Sequence, residues 1–231
     1  MHSPETPEAI AVAFDRERVD DRKKWIIAKY QPDEFLDPTL PSIPYHEFID
    51  KELVHFAHAD NIRSLPSIVD GLKMSQRKVL YAAFKKDMKA EMKVIQLSGY
   101  IAEQTEYHHG DTALINCIVR MAQNFVGSNN LPLLMPVGQF GTRHQGGEDF
   151  ASARYIYTKL SPIARKVFPA VDDALLERVE EDGHVVEPKH YLPVIPWILV
   201  NGSRGVGTGW STDINSYNPL EIIKYTRMKI Q

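Results

Sequence analysis

QFGTRHQGGEDFASARYIYT, residues 139–158, is the stretch on which the reading of this chain turns. Gly141, Gly146 and Gly147 stand among Arg143, His144 and Gln145, so its first half reads as a polar, basic loop whose backbone N–H groups can approach a phosphate chain. Its second half runs into Arg154-Tyr155. A tyrosine can attack a phosphodiester and keep the phosphate as a covalent ester, and a neighbouring guanidinium can hold the phosphate oxygens in a forked grip. The plainer reading is that Tyr155 is one of ten tyrosines, sharing a strand face with Tyr157 as a half-buried aromatic.

Outward from this stretch, charge is segregated although the net charge of the 231 residues is only −3. From Arg63 to Lys93 the positives are Arg63, Lys73, Arg77, Lys78, Lys85, Lys86, Lys89 and Lys93, opposed by Asp70, Asp87 and Glu91. Asp172, Asp173, Glu177, Glu180, Glu181, Asp182 and Glu187 make an acidic stretch broken by Arg178. A basic face on a near-neutral protein is the footprint of a local phosphate contact, and equally the look of a solvated helix surface. With 43% hydrophobic and 25% charged residues the chain can bury a core. It has no bilayer-length apolar run and no secretory signal at its N-terminus, and its one cysteine fits a reducing compartment, so an intracellular soluble protein is expected.

Along the chain, residues 1–20 read as a polar tail and Arg16–Tyr30 as a charged helix. Pro32, Pro38, Pro41 and Pro44 mark an extended linker before a compact domain that begins near Tyr45. HEFIDKELVHFAHADN has helical spacing with a stop at Asp60-Asn61. Ser75–Lys89 reads as a helix with Lys78, Lys85 and Lys89 on its polar face, and Asp111–Phe125 as another, capped by Asp111. Further helices are expected over Ser161–Phe168 and from Pro219 onward. Short strands are expected in HYLPVIPWILVNGSRGVGTGW. The last helix has no C-cap, as in a chain cut from a longer sequence or continuing onto a partner.

Other constellations carry less. The glycines of GSRGVGTG (202–209) follow a strand-like WILV, but no helix opens there and no acidic residue follows at dinucleotide-binding distance, so a tight turn close to something large and polar is the alternative. His108-His109 lacks companions of zinc spacing, and neither a GxSxG nor a P-loop occurs.

Four segments then join: RSLPSIVDGLKMSQRKVL (63–80), GYIAEQTEYHHGDTAL (99–114), MAQNFVGSNNLPLLMPVGQFGTRHQGGEDFASARYIYT (121–158) and LPVIPWILVNGSRGVGTGWST (192–212). In this order they resemble the eukaryotic-type type IIA DNA topoisomerases, from about Asp15 to the end. The resemblance implies an α+β fold, with a linker from the metal-binding (Toprim) domain over 1–45. A helix-rich winged-helix domain with a small β wing follows over 46–195, and the start of an α/β tower over 196–231. It implies Tyr155 as the nucleophile that takes a DNA 5′-phosphate, Arg154 as the grip on the scissile phosphate and His109 as a charge stabiliser there. Arg63 and Lys73 are implied as backbone contacts, and Val206 as an apolar wedge between base pairs. The basic run and the loop add Arg77, Lys78, Arg143 and Gln145 to the DNA-contacting candidates.

The implied activity is transient double-strand breakage, ATP-dependent strand passage and religation of double-stranded DNA. The rest of the enzyme is the implied partner, in a homodimer or an equivalent two-fold assembly. Mg2+ and ATP would be held by regions outside this chain, in the nucleus if the protein is cellular, in a host cell or virion if it is viral. The competing reading is a non-catalytic DNA-binding or assembly module. Departures from the family pattern are Met74 for a usual proline, which would loosen the turn into the basic helix, Glu148 and His144 for a usual lysine and leucine, and Val206 for a usual isoleucine.

Overall fold

A computed structural model of the chain describes residues 3–231, 46% helical and 12% strand. In chain order the elements are α1 (Thr6–Phe14), α2 (Val19–Lys29), α3 (Tyr45–Phe48), a π-helical turn (Ile49–Leu53), α4 (Val54–Ser64) and α5 (Met74–Lys85). Then come β1 (Met92–Lys93), α6 (Val94–Thr105), α7 (Asp111–Ala122), β2 (Leu134–Val137), β3 (Tyr157–Leu160) and α8 (Ala164–Val167). The chain ends with β4 (Arg178–Glu181), β5 (His184–Pro188), α9 (Trp197–Asn201), β6 (Ser203–Val206), β7 (Ser211–Ile214) and α10 (Pro219–Ile230). The α+β class expected from the sequence is the one observed. No helix among the described residues is long and apolar enough to cross a membrane.

Two compact units divide the chain. One runs up to Pro66 and includes Arg204–Asp213; the other comprises Ser67–Ser203 and Ile214–Gln231. The first unit closes on Trp25, Ile26, Ile49, Val54 and Ala57. Its opening corrects the expectation of a tail over 1–20, of which the first two residues lie outside the described residues. Thr6–Phe14 is helical, and Pro7 sits in the first turn, where a missing N–H breaks no bond. The buried Arg22 guanidinium donates to the carbonyls of Ala13 (2.7 Å) and Asp15 (2.6 Å), satisfying the end of α1. The helix expected to stop at Asp60-Asn61 continues to Ser64, because both side chains are engaged in tertiary bonds to Thr208.

The second unit packs α5, α6 and α7 around Val79, Leu80, Leu97, Ile101, Leu114 and Ile118, all shielded from solvent. A three-stranded antiparallel sheet in the order β1-β3-β2 lies beside them, with Lys93 and Val137 both paired to Tyr157. Several elements of this unit escaped the sequence reading, the short strands β1 and β2 among them. Helix α6 has buried Val94, Leu97 and Ile101 at helical spacing, but Gly99 interrupts the pattern. The β4–β5 hairpin lies inside what reads as an acidic run, closed by Asp182-Gly183 with both residues at positive φ. WILV, expected as a strand, is the helix α9 with Trp197, Ile198 and Val200 buried; a short apolar run does not distinguish the two by pattern alone.

Helix α5 buries two cations that the sequence places on a solvated face. Arg77 donates to Asp70 through Nε (2.7 Å to Oδ2) and Nη2 (2.9 Å to Oδ1). Asp70 also accepts from the Leu72 and Tyr191 N–H groups, each at 2.9 Å. Lys78, 2% exposed, donates to the Thr105 carbonyl (2.6 Å) and pairs with Glu187 (3.0 Å) and Glu181 (2.9 Å). Burial pushes the Glu187 carboxyl up, partly offset by the Lys78 ammonium.

Removing one member of such a pair strands a buried charge. Lys78→Met should therefore destabilise the chain by about 3–5 kcal/mol in urea denaturation. Met74 stands at the first helical position of α5, after Lys73 in an extended conformation, so Met74→Pro should raise stability by about 0.4–1 kcal/mol. A loss of stability would show that the native turn cannot accept the ring.

Candidate nucleic-acid interface

Arg154 and Tyr155 sit on a turn whose flanks are anchored and whose centre faces solvent. The Tyr155 N–H donates to the Ser152 carbonyl at 2.8 Å. Ala153 and Ile156 are buried at 8% and 1% exposure, while Tyr155 between them is 72% exposed. The anchor is the start of α6, where the first N–H groups of a helix have no partner inside it. Val94 N–H donates to the Ile156 carbonyl (3.0 Å) and Ile95 N–H to the Ala153 carbonyl (3.1 Å). The two residues between those carbonyls are thus displayed by bonded backbone. Tyr155 precedes β3, which begins at Tyr157, so the two tyrosines do not share a strand face.

The glycine-rich loop before it is equally fixed. The Gly141 and Gly147 backbones pass so closely that a Cβ on Gly141 would lie 2.6 Å from the Gly147 carbonyl oxygen, and both have positive φ. Gln123, 3% exposed, reaches in from the end of α7 and donates to the carbonyls of Phe140 (2.8 Å) and Gly147 (2.9 Å). Asp149 accepts from the Thr142 N–H (2.7 Å) and hydroxyl (2.9 Å). Arg143, His144 and Gln145 form the exposed 3-10 turn at the loop's tip. Glu148, expected to weaken contact with an anion, is paired with Arg120.

His109 lies exposed between α6 and α7, its ring edge-on to Tyr107 at 5.3 Å. His108 turns elsewhere, with Nε2 3.0 Å from Asp182 Oδ2. Lys73, half-buried, is the N-cap of α5. Arg77 and Lys78 correct the sequence expectation: both are buried in ion pairs and present no charge to an external phosphate.

In the first unit, Arg63 is exposed on α4 with Nη2 3.0 Å from Asp60 Oδ1, and Val206 is 80% exposed at the end of β6. The glycines around Val206 resolve the ambiguity of their sequence. They are the underside of a hairpin lying directly on α4: a Cβ at Gly205 would meet the Ser64 carbonyl oxygen at 2.3 Å, and one at Gly207 would meet Asn61 Oδ1 at 2.2 Å. The large polar object that the turn approaches is a helix of the same chain.

Among the described residues, no group of three or more histidine, cysteine or carboxylate side chains is gathered to hold a metal ion.

Residues 63–231 match the family model for the A subunit of DNA gyrase/topoisomerase IV, and residues 1–61 match the C-terminal associated domain of TOPRIM. DNA topoisomerase 2 of Saccharomyces cerevisiae is 56% identical over 218 residues, covering 94% of this chain and 15% of that protein. DNA topoisomerase 2 of Arabidopsis thaliana is 53% identical over 220 residues, covering 95% and 15%. The crystal structure of the Plasmodium falciparum topoisomerase II DNA-binding, cleavage and re-ligation domain matches with a TM-score of 0.86 at 44% identity, covering 100% of this chain and 32% of that one. The chain belongs to the DNA gyrase/topoisomerase IV A-subunit family, among relatives of the eukaryotic topoisomerase 2 type. It spans about 15% of the length of these two curated relatives.

The Thr142 N–H holds the Asp149 carboxyl below its ordinary value. A group depressed in the folded state stabilises the loop above its unfolded pKa and loses that contribution as pH falls through the folded one. In an NMR titration, the Thr142 amide shift should follow a carboxyl titrating below about 3.9, the unperturbed aspartate value. A midpoint at or above that value would remove the bond from the account.

Proposed function

We propose that this chain is the DNA-gate segment of a type IIA topoisomerase and that Tyr155 is its nucleophile. The observation carrying this reading is the exposed Arg154-Tyr155 pair, held between two buried residues whose carbonyls are bound by the start of α6. The Tyr155 hydroxyl oxygen attacks phosphorus as its proton is lost. The Oη–P bond forms, the P–O3′ bond breaks, and a 3′-hydroxyl leaves carrying a proton. The phosphate stays on tyrosine as a 5′-phosphotyrosine ester, so attack by the same 3′-hydroxyl reverses the step without external energy.

A free phenol is mostly protonated at neutral pH, so neighbouring positive charge must favour the phenolate. Arg154 supplies fixed charge for the equatorial phosphate oxygens and His109 a second donor. Lys73, Arg143 and Gln145 contact the DNA backbone from their unit, and Arg63 does so from the other. Val206 wedges a base step, which costs a few kcal/mol and is offset by contacts along the bent duplex. Backbone and shape contacts of this kind imply weak sequence preference. Arg77 and Lys78 act by holding α5 in place.

In this reading residues 1–45 lead from the metal-binding domain, 46–195 form the winged-helix domain, and the tower begins over 196–231. Mg2+ and ATP are held by regions outside this chain, and the working form is a homodimer or an equivalent two-fold assembly with the rest of the enzyme. Relaxation and decatenation of double-stranded DNA follow. The place of action is the nucleus for a cellular enzyme and the host cell or virion for a viral one.

The test joins this chain to the metal-binding region with Mg2+ and nicked duplex, quenches with detergent, and maps the adduct by mass spectrometry. An adduct on Tyr155 that disappears in Tyr155→Phe is expected, and Arg154→Ala should lower its yield about 10²-fold or more. DNA binding without any adduct would favour a non-catalytic module. The chain without the metal-binding region should cleave nothing.

A further inference from the structure

We infer that Asp60 and Asn61 are positioning residues that fix, through Thr208, the height at which Val206 is presented to DNA. The inference rests on the reading of Val206 as the wedge and adds what supports it. Residues alternate at the end of β6 and into the turn after it: Gly205 and Gly207 face α4, and Val206 between them is exposed. At Gly205 and Gly207 the hairpin puts no side chain of its own against the helix, so the distance Val206 reaches depends on how the backbone is seated.

The seat is made at one residue. The Thr208 hydroxyl donates to Asp60 Oδ2 at 3.0 Å, and the Thr208 carbonyl accepts from Asn61 Nδ2 at 3.0 Å. The Gly207 N–H donates to the Trp210 carbonyl at 2.9 Å and closes the tip. The other oxygen of Asp60 accepts from the Ser64 hydroxyl and from Arg63 Nη2, each at 3.0 Å. Burial pushes the Asp60 carboxyl up, but the bonds from Ser64, Thr208 and Arg63 together hold it below the ordinary range, so it stays an acceptor for all three. One carboxylate thereby refers both the wedge hairpin and a proposed backbone contact, Arg63, to the same turn of α4.

A wedge that unstacks a base step is pushed back by the stack it opens. Here that load passes through glycine backbone directly into α4. The Asp60 and Asn61 bonds oppose sliding of the hairpin along the helix. Loosening them should cost bending and leave backbone attachment intact.

The test uses the complete enzyme with a gate-length duplex labelled at both ends for energy transfer, read at saturating protein alongside affinity and melting temperature. Thr208→Val keeps the shape and removes the hydroxyl; it should lower the bent-to-straight ratio about tenfold or more, the scale of one lost hydrogen bond to a charged group, with affinity and melting temperature nearly unchanged. Thr208→Ser should restore bending. Val206→Ala is the separate control. Should it bend DNA like the wild type, the wedge reading falls and this inference with it. Should Val206→Ala reduce bending while Thr208→Val does not, the positioning role alone is overturned. Parallel loss of bending, affinity and melting temperature in Thr208→Val, unrescued by serine, would leave Asp60 and Asn61 a purely structural role and also overturn it.

Discussion

Burial of two adjacent cations on α5 constrains the second unit more than any apolar contact. Arg77 and Lys78 cannot enter the core without carboxylates, and those of Lys78 come from far along the chain. Asp70 lies on the loop before α5, and it also binds the Tyr191 N–H. Glu181 and Glu187 lie on the β4–β5 hairpin, and Thr105 ends α6. Neutralising one helix thus requires a loop, a hairpin and a second helix to close on it together. Apolar packing tolerates small shifts; a buried ammonium with three oxygen partners tolerates far fewer.

Rigid backbone display follows the same economy of polar groups elsewhere. The N–H groups at the start of α6, which have no helical partner, bind the carbonyls on either side of Arg154-Tyr155. The Gln123 amide answers two carbonyls of the glycine-rich loop, and Asp149 answers Thr142. In each case an obligatory backbone group is satisfied by the segment that carries exposed polar residues. Arg143, His144, Gln145, Arg154 and Tyr155 face outward from that framework. That division suits the DNA contact proposed for this surface.

Much of this was legible without coordinates. Helices α2, α5, α7 and α10 and the isolation of Arg154-Tyr155 as a chemical pair follow from periodicity, caps and residue type, and the α+β class from the family resemblance. Asn218-Pro219 marks the start of α10, and the Asn218 side chain does cap it, accepting from the Leu220 N–H. Helix α1 was hidden by prolines that a first turn accepts, α6 by Gly99, and the β4–β5 hairpin by the charge of its strands. Asp182-Gly183 was a turn signal that could have found the hairpin.

What the sequence determined by itself is local: which segments can be helical, where the chain must turn, and which side chains can do phosphoryl chemistry. What only the tertiary structure decided is which charges face water. Of the basic residues between Arg63 and Lys93, Arg77 and Lys78 are locked inside while Arg63 remains outside, yet all read alike in the sequence. The glycines at 205 and 207 read as a loop until α4 is found beneath them. The burial of Lys78 and the seat beneath the glycines depend on partners more than a hundred positions away, and no pattern within a helix turn or a strand records contacts at that separation.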